Sequence, residues 1–278
     1  MTDSTYDRPV TNAIQATRAP MRPDTRDSTP AIEVRGLTMM YGDRVVMKDI
    51  NFTVARGEVF VLMGGSGSGK STLLKHLIGL KEPAKGKILF EGEDFDINDE
   101  VVRKRVLRRM GVLYQNGALW SGLTLAENVS LPLEEFTDLD PKTIAEVASF
   151  KLALVGLRGF EEFYPSAISG GMRKRAALAR AIALDPDVVF FDEPSSGLDP
   201  ISASRLDDLI LELKSSFGTT IVVVTHDLDS IFRIADRALF LDIEEKTMTA
   251  LGHPAELRDN PPSAEVHRFL TRSSEGGP

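Results

Sequence analysis

The chain has 278 residues, of which 42% are hydrophobic and 27% are charged, so its composition is that of an ordinary globular protein. Its 41 Asp and Glu residues outnumber its 33 Lys and Arg residues, and the formal charge of −8 argues against a protein that coats nucleic acid by bulk charge. The absence of Cys excludes disulfides, thiolate metal sites and Cys nucleophiles. No apolar run approaches the roughly 18 residues that span a bilayer, and no apolar signal-peptide segment follows the N-terminus, so we expect any membrane role to be peripheral.

The ends of the chain differ in composition from its middle. Residues 1–30 contain four Pro, four Arg and four Asp, and their only branched aliphatic residues are Val10 and Ile14. Such a segment buries too little apolar surface to offset the entropy lost on ordering, which predicts a disordered N-terminal tail. We assign residues 31–257 to a folded domain and residues 258–278 to a C-terminal tail.

Between the ends, short apolar runs alternate with segments of helical periodicity, which predicts an α/β domain with a mainly parallel central sheet. The predicted strands are, in chain order, Val59–Met63, Lys87–Phe90, Gly111–Tyr114, Val188–Asp192, Thr220–Thr225 and Ala238–Leu241. Helices are predicted over residues 72–78, 126–136, 141–155 and 173–184. Asp140 and Asp227 are predicted helix N-caps, and Pro141 suits a first helical position.

A glycine-rich loop follows the first predicted strand. Its sequence, Gly64-Gly65-Ser66-Gly67-Ser68-Gly69-Lys70-Ser71, fits the pattern GxxxxGK[ST] and leads into a predicted helix at Thr72. Glycines allow successive backbone N–H groups to surround nucleotide phosphates, and the helix N-terminus adds its positive dipole end. We expect Lys70 to reach the β- and γ-phosphates and the Ser71 hydroxyl to ligate Mg²⁺. The alternative, a strand–helix turn without a ligand, gives no reason for Lys and Ser after the last glycine.

Two acidic residues lie at the end of the apolar strand Val188–Asp192. A strand this apolar is expected to be buried on both faces, and its carboxyl end lies at the edge where such sheets bind ligands. Asp192 is placed to hold Mg²⁺, directly or through water, and Glu193 to activate a water molecule against the γ-phosphate. The alternative is that both acids cap the turn before Pro194, and the phosphate loop in the same chain makes this the weaker interpretation.

A second anion-binding helix start occurs farther along the chain. The fragment Ile168-Ser169-Gly170-Gly171-Met172 offers a hydroxyl and two glycine amides in front of the helix predicted over residues 173–184. One nucleotide cannot easily use both this helix start and the phosphate loop within one monomer. The fragment resembles the LSGGQ signature of ABC ATPases, and the resemblance extends over nearly all of residues 31–257.

Further matches occur in the order that this family shows. Tyr41 corresponds to the aromatic residue that stacks on adenine, and Gln115 corresponds to the Q-loop. Ser196-Gly197-Leu198-Asp199 corresponds to the D-loop, and His226 corresponds to the switch histidine. Taken singly, each would more often be a packing, solvated or capping residue. By resemblance, the catalytic set is Lys70, Glu193 and His226, and the Mg²⁺ ligands are Ser71, Gln115 and Asp192. The implied nucleotide contacts are the phosphate loop with Thr72, together with Tyr41, Gln115, Ser169, Gly170, Gly171 and Asp199.

The resemblance also implies an architecture and an assembly. The fold would be a P-loop NTPase of the ABC type, with a mainly parallel core sheet, an antiparallel β subdomain and an inserted helical subdomain at about residues 116–167. Two copies would form a head-to-tail homodimer, in which each ATP lies between the phosphate loop of one subunit and the signature of the other. ATP would join the subunits, and hydrolysis would release them.

Three stretches point to one branch of the family. Residues Tyr114–Leu119, Ser169–Ala181 and Phe191–Ile201 look like the ATPases of the Mla and MCE-linked lipid transporters, in which Met replaces the last Gln of the signature, as Met172 does here. The resemblance implies a motor at the cytoplasmic face of a bacterial inner membrane that drives phospholipid movement between the inner and outer membranes. Its partners would be an integral membrane permease, an MCE-domain protein and a STAS-domain protein, and not nucleic acid. Two alternatives stay open, namely the ATPase of a small-solute importer and a soluble ABC ATPase of an assembly scaffold.

Two surface features are also predicted. Exposed apolar residues of the helical subdomain are expected to bind the membrane partner, and Leu119, Trp120 and Leu123 are the candidates. Trp120, the only Trp, is equally compatible with core packing. The basic run Arg103-Lys104-Arg105, with Arg108 and Arg109, suits either lipid headgroups or a solvated helix paired with acidic neighbours, and the second interpretation is favoured.

Overall fold

The fold is assembled around two β-sheets. This computed structural model describes residues 29–272, and the predictions made for residues 1–28 and 273–278 lie outside the described residues. The strands in the described part are β1 (Ile32–Tyr41), β2 (Arg44–Val54), β3 (Val59–Met63), β4 (Lys85–Phe90), β5 (Glu93–Asp94), β6 (Met110–Leu113), β7 (Val188–Asp192), β8 (Thr220–Val224), β9 (Arg237–Asp242) and β10 (Thr247–Gly252).

The two sheets differ in strand direction. The smaller sheet has the order β2-β1-β4-β5 and is antiparallel throughout. The larger sheet has the order β10-β9-β3-β8-β7-β6, in which β10 alone runs antiparallel to its neighbour and the other strands are parallel. The predicted parallel core sheet and antiparallel β subdomain are therefore confirmed. Each of the six predicted strands agrees with an observed strand to within two residues at either end.

The helices connect and cover the strands. Those of the described residues are α1 (Lys70–Leu77), α2 (Glu100–Arg108), α3 (Leu125–Phe136), α4 (Pro141–Leu154), α5 (Gly170–Ala181), α6 (Pro200–Phe217), α7 (Leu228–Ile234), α8 (Pro254–Asp259) and α9 (Ala264–Thr271). A short 3₁₀ helix at Pro165–Ala167 precedes α5. Helix α5 begins three residues earlier than the sequence pattern predicted, because the Ser169 side chain caps it.

Aspartate side chains cap the N-termini of helices α4 and α7. Asp140 accepts hydrogen bonds from the backbone N–H groups of Lys142 and Thr143 at 3.0 and 3.1 Å, which confirms it as the N-cap of α4. Asp227 accepts from the N–H of Asp229 at 3.2 Å and is confirmed as the N-cap of α7. Both carboxylates satisfy N–H groups that have no partner within the helix.

The larger sheet separates two hydrophobic cores, because successive side chains of a strand point to opposite faces. On β3, Val59, Val61 and Met63 pack into a core that is covered by helices α3 to α9. Phe60 and Leu62 of the same strand pack into the other core, which includes α1 and the antiparallel sheet. All five residues of β3 are fully buried, as expected for a strand covered on both faces.

An ion-pair network connects the two sheets. Glu91, which follows β4, pairs with Arg56 and with Arg109, and Arg109 Nε also donates to Asp187 Oδ2 at 2.7 Å. Arg105 of α2 pairs with Glu93. Pairing of the basic run with acidic neighbours is thus confirmed for Arg105 and Arg109.

The C-terminal helices pack against the larger sheet. Val266 and Leu270 of α9 are buried, and the ring centroids of Phe269 and Phe240 lie 5.3 Å apart. Helix α8 continues past the boundary that the sequence pattern placed after Leu257. Within residues 29–272, no helix is both long enough and apolar enough to cross a membrane.

Candidate nucleotide-binding site

The glycine-rich loop leaves β3 and enters α1 in a conformation that requires glycine. Gly64 has a φ of +148°, and a Cβ there would lie 2.6 Å from Leu241 O and 2.7 Å from Ser68 Oγ. Gly69, the N-cap of α1, is left-handed with a φ of 87°. Larger residues at either position would displace the loop, so the tight turn that the motif predicted depends on these two glycines.

The side chain of Lys70 is held inside this loop. Its Nζ donates hydrogen bonds to Gly64 O and Gly65 O, each at 2.8 Å. Burial lowers the pKa of Lys70, while the charges of Glu193 and Asp192 raise it. The ammonium group therefore lies within electrostatic reach of both predicted acids.

The other residues of the loop and the first turn of α1 differ in exposure. Ser68 is buried, and Thr72 is half-buried. The exposed members are Gly65, Ser66, Gly67 and Ser71. The exposed stretch, next to the N-terminal end of α1, is the part of the loop that a phosphate group can approach.

Asp192 closes β7 and has an unpaired oxygen. Its Oδ1 is buried and has no hydrogen-bond partner among the described residues. Burial and then the charge of Glu193 raise the pKa of Asp192, whereas Lys75 and Lys70 lower it. A buried carboxylate oxygen without a partner is suited to a cation, so the donor set of this site fits Mg²⁺.

Glu193 and His226 are in direct contact. Glu193 Oε1 and His226 Nδ1 lie 2.9 Å apart, with the Glu193 side chain mostly buried and His226 exposed. Glu193 has a φ of 48°, a left-handed conformation that is uncommon for a residue with a Cβ. The structure thus brings together the predicted base and the predicted switch histidine.

Gln115 and the D-loop are also in contact. Gln115 Nε2 donates to Ser196 Oγ at 3.3 Å. Asp199 is the N-cap of α6, where Oδ1 accepts from the N–H groups of Ile201 and Ser202 and Oδ2 accepts from Ser202 Oγ at 2.6 Å. The hydrogen bonds from Ser202 are the main cause of the lowered pKa of Asp199.

The signature fragment forms the start of α5. Ser169 Oγ accepts a hydrogen bond from the Met172 N–H at 3.2 Å, and both Ser169 and Gly170 are exposed. A Cβ at Gly171 would lie 3.4 Å from Ser202 Oγ, so the signature packs against the beginning of α6. The side chain of Met172 packs against the hydrophobic core, which gives a structural role to the residue that replaces Gln.

Tyr41 is the last residue of β1 and is 50% exposed. Lys81 Nζ lies 3.2 Å from the ring centroid, and the same ammonium donates to Met40 O. A cation over an aromatic face is attracted by the ring quadrupole. Lys81 therefore holds the ring that is predicted to stack on adenine, and no sequence motif pointed to it.

The role of a second lysine was not predicted from the sequence. Lys174 of α5 is only 7% exposed, and its Nζ donates to the backbone oxygens of residues that follow β7. The sequence offers no motif for this contact, because the acceptors are carbonyl groups that any residue carries.

The two-sheet fold, the phosphate loop, the signature and the D-loop are together those of an ABC ATPase, and comparison with known sequences agrees. Residues 47–196, more than half of the chain, match the profile of the ABC transporter family. The chain belongs to this family, and it is an ATP-binding and ATP-hydrolysing subunit of the ABC type.

Curated relatives are similar over most of the chain. The Haemophilus influenzae protein named intermembrane phospholipid transport system ATP-binding protein MlaF is 42% identical over 88% of this chain and 92% of its own length. The Escherichia coli K12 protein of the same name is 41% identical over 88% of this chain and 90% of its own. The Mycobacterium tuberculosis protein named probable ribonucleotide transport ATP-binding protein mkl is 44% identical over 72% of this chain and 55% of its own.

Solved structures share the fold. CbiO1 from Clostridium perfringens, part of the ABC transporter complex cbiONQ, has a TM-score of 0.76 at 28% identity and covers 88% of this chain and 95% of its own. The ATP-binding cassette MJ0796, in a dimeric post-hydrolysis state bound to ADP and Pi, has a TM-score of 0.72 at 28% identity and covers 80% of this chain and 98% of its own.

Proposed function

We propose that this chain is the motor subunit of a bacterial inner-membrane ABC transporter that moves phospholipids between the inner and outer membranes. The observation that carries this proposal is the 42% identity to the H. influenzae MlaF protein across 92% of that protein's length. The match covers the helical subdomain, where a membrane partner would bind, as well as the ATP site. The chain would act peripherally, at the cytoplasmic face of the inner membrane.

The chemistry of ATP hydrolysis follows from the positions of the side chains. Lys70 contributes positive charge against the β- and γ-phosphates, and the exposed part of the loop contributes N–H groups. Glu193 Oε1 is hydrogen-bonded to His226, so Oε2 is the atom that we expect to accept a proton from the attacking water. His226 orients the carboxylate and faces solvent, where it can contact the γ-phosphate.

Mg²⁺ would be held by Ser71, Gln115 and Asp192. The unpaired, buried Oδ1 of Asp192 supports this assignment. When bound, the ion neutralises phosphate charge. Removal of Mg²⁺ should therefore suppress turnover.

We propose that two copies assemble head to tail around two ATP molecules. The signature residues Ser169 and Gly170 are exposed at the start of α5, where they are free to contact a nucleotide bound to another subunit. The bacterial cassette MJ0796, whose fold this chain shares, is dimeric in its solved structures, and this supports a dimer here.

The proposed docking surface for the permease lies in the helical subdomain. Trp120 is 65% exposed, and Phe163 and Tyr164 are exposed as well. Leu119 is partly buried against the core and Leu123 is half-buried, so the aromatic residues replace these two leucines as the main contact candidates. Exposed aromatic residues are frequent energetic anchors of protein interfaces.

A buried amide supports the Trp120 loop. Asn128 is fully buried; its Oδ1 accepts from the Trp120 N–H at 2.7 Å, and its Nδ2 donates to Trp120 O at 3.0 Å. The loop backbone is therefore fixed while the indole ring faces outward. An MCE-domain protein and a STAS-domain protein complete the proposed assembly.

Replacing Trp120 with Asp tests the docking surface. We expect permease binding to weaken by at least about 2 kcal/mol, roughly 30-fold in Kd, because a charge replaces an aromatic anchor. Co-purification and calorimetric affinity measure the effect, while ATP binding stays unchanged. Phe217→Asp is the matched control, since Phe217 is an exposed aromatic residue on α6. Equal loss in both variants, or full binding by Trp120→Asp, would contradict the assignment.

The transport function is tested with the native complex. The chain is purified with its membrane partners, reconstituted in proteoliposomes, and assayed for transfer of labelled phospholipid and of ribonucleotides. We expect ATP-dependent phospholipid transfer that Glu193→Gln abolishes. Transport of ribonucleotides or another small solute without lipid would overturn the proposal, as would purification with a soluble scaffold in place of a membrane protein.

A further inference from the structure

The ammonium group of Lys174 lies among backbone carbonyls of the catalytic turn. Lys174 is on the second turn of α5, and its Nζ donates to Pro194 O at 2.5 Å and to Ser196 O at 2.6 Å, with Glu193 O at 3.4 Å. These three acceptors belong to the segment between β7 and α6. Each of the three N–H donors of a lysine can therefore be used by this one turn.

The position of Lys174 is costly for a lysine. It is only 7% exposed, and burial lowers its pKa, while the nearby charge of Glu193 raises it. Among residues 29–272, no carboxylate lies within ion-pairing distance of Lys174, so the carbonyl groups of residues 193–196 are its main partners. Because the buried ammonium group of Lys174 has its hydrogen-bond partners in this one turn, it holds the turn tightly against α5.

The turn that Lys174 contacts is strained and catalytic. Glu193 has a φ of 48°, which a residue with a Cβ adopts only when its surroundings impose it. The Glu193 N–H donates to Val224 O at 2.8 Å, and the Ser196 N–H donates to Glu193 O at 3.2 Å. These bonds hold the N–H groups of Glu193 and Ser196, and the Lys174 ammonium holds carbonyl groups of the same turn.

We propose that Lys174 is a positioning residue for ATP hydrolysis, which holds the turn of residues 193–196 so that the Glu193 carboxylate is aimed at the attacking water. The proposal rests on the proposed role of Glu193 as the base. Lys174 does not touch the nucleotide in this scheme. It connects α5, the helix that begins with the signature, to Glu193, the proposed general base of the same subunit.

Lys174→Met removes the ammonium group and keeps the length of the side chain. We expect kcat for ATP to fall on the order of 10-fold to 100-fold, because small displacements of a reacting group have effects of this size. We expect KM and the Kd of a non-hydrolysable ATP analogue to change less than about threefold, since the phosphate loop is untouched. Lys174→Arg restores charge and donors, and it should recover part of kcat.

The control is another buried lysine. Lys151 of α4 is buried and pairs with Asp185 at 2.5 Å, away from the proposed nucleotide contacts. Lys151→Met should lower the melting temperature and leave kcat within about twofold of the wild-type value, since it removes only the ion pair between α4 and Asp185, which follows α5. This control separates loss of stability from loss of positioning.

A double variant gives a readout that a general loss of stability does not produce. Combined with Glu193→Gln, Lys174→Met should cause no further decrease in single-turnover hydrolysis beyond about twofold, because the group that it positions is gone. If Lys174→Met does not fold, Lys174→Gln is used in the same comparison.

The inference would be overturned if Lys174→Met keeps kcat within twofold of wild type, or if it loses kcat and ATP affinity equally. It would also be overturned if Lys174→Arg is as stable as wild type but recovers no kcat, or if the effects of Lys174→Met and Glu193→Gln on single-turnover hydrolysis are fully additive. If Glu193→Gln alone retains normal turnover, the proposed role of Glu193 fails and the inference fails with it. If Glu193→Gln is inactive and Lys174→Met is normal, only the inference about Lys174 fails.

Discussion

The hydrogen bond between Glu193 and His226 determines which ring nitrogen carries a proton. An ionised carboxylate can only accept hydrogen bonds, so His226 Nδ1 must be the donor in the 2.9 Å contact. In the neutral ring, Nε2 is then an acceptor, and it becomes a donor only in the imidazolium form. A contact from His226 to an ATP γ-phosphate therefore requires the charged ring or a bridging water molecule.

Lys70→Ala tests the phosphate loop. The substitution removes an ammonium group that the loop holds with two 2.8 Å hydrogen bonds. We expect ATP turnover to fall about 100-fold to 1000-fold, the usual effect of losing a preorganised donor to a charged transition state. Steady-state phosphate release measures it, with Lys104→Ala on the exposed side of α2 as control. Near-normal hydrolysis by Lys70→Ala would contradict the assignment.

Glu193→Gln separates ATP binding from hydrolysis. The amide cannot take a proton from water, so we expect turnover to fall about 100-fold to 10,000-fold while ATP still binds. The ATP-bound dimer should accumulate and be visible by light scattering with size exclusion. Adding Lys70→Ala to this variant should abolish the shift. A variant that hydrolyses normally and shows no ATP-dependent dimer would remove Glu193 from its role.

At the scale of secondary structure, the sequence predicted elements that have one dominant pattern. The strand Val59–Met63 is apolar throughout and the strand Val188–Asp192 is apolar up to its final Asp, and both were predicted to the residue. Strands β1 and β2 were not predicted, because register shifts between Val34 and Leu37 and beyond interrupt the alternation of buried residues. The site motifs were identifiable because their glycines and acids are specific residue types, whereas Lys174 and Lys81 bind carbonyls and a ring that no motif encodes.

The C-terminal helix α9 allows a prediction about stability. Leu270 is 2% exposed in the core beside the larger sheet. Leu270→Ala should lower the free energy of unfolding by about 2–5 kcal/mol, because it leaves a cavity. His267→Ala, on the exposed side of the same helix, should change it by less than about 0.5 kcal/mol. Urea unfolding measures both. A Leu270→Ala variant as stable as wild type would mean that α9 is not part of the cooperative unit.

At the scale of the whole molecule, the Glu91 network connects the two sheets and makes stability depend on pH. Burial opposes ionisation of Glu91, but hydrogen bonds from Arg56 and Arg109 outweigh it, so the pKa of Glu91 lies below its ordinary value of 4.5. A lowered folded-state pKa adds stability that is complete above the unfolded pKa and is lost as the pH falls through the folded one.

Glu91→Gln tests this contribution. We expect the variant to be less stable than wild type at pH 7, and we expect the difference to shrink as the pH falls below about 4.5, because protonation then weakens the same pairs in the wild-type protein. Chemical unfolding at pH 7, 5 and 3.5 measures the difference. Glu162→Gln, at an exposed position, should show no such trend. A constant difference across this range would exclude the ion pairs as its source.

The place of β3 within the larger sheet has a consequence for synthesis of the chain. Both neighbours of β3, strands β8 and β9, come from the last quarter of the sequence. At the usual ribosomal rate of about 5–20 residues per second, this entirely apolar strand waits on the order of ten seconds for its partners. The glycine-rich loop is attached to that strand, so we expect it to take its binding shape only after β8 and β9 have been made. We therefore expect a nascent chain to bind ATP late in its synthesis and to expose an apolar strand, of the kind that chaperones cover, until then.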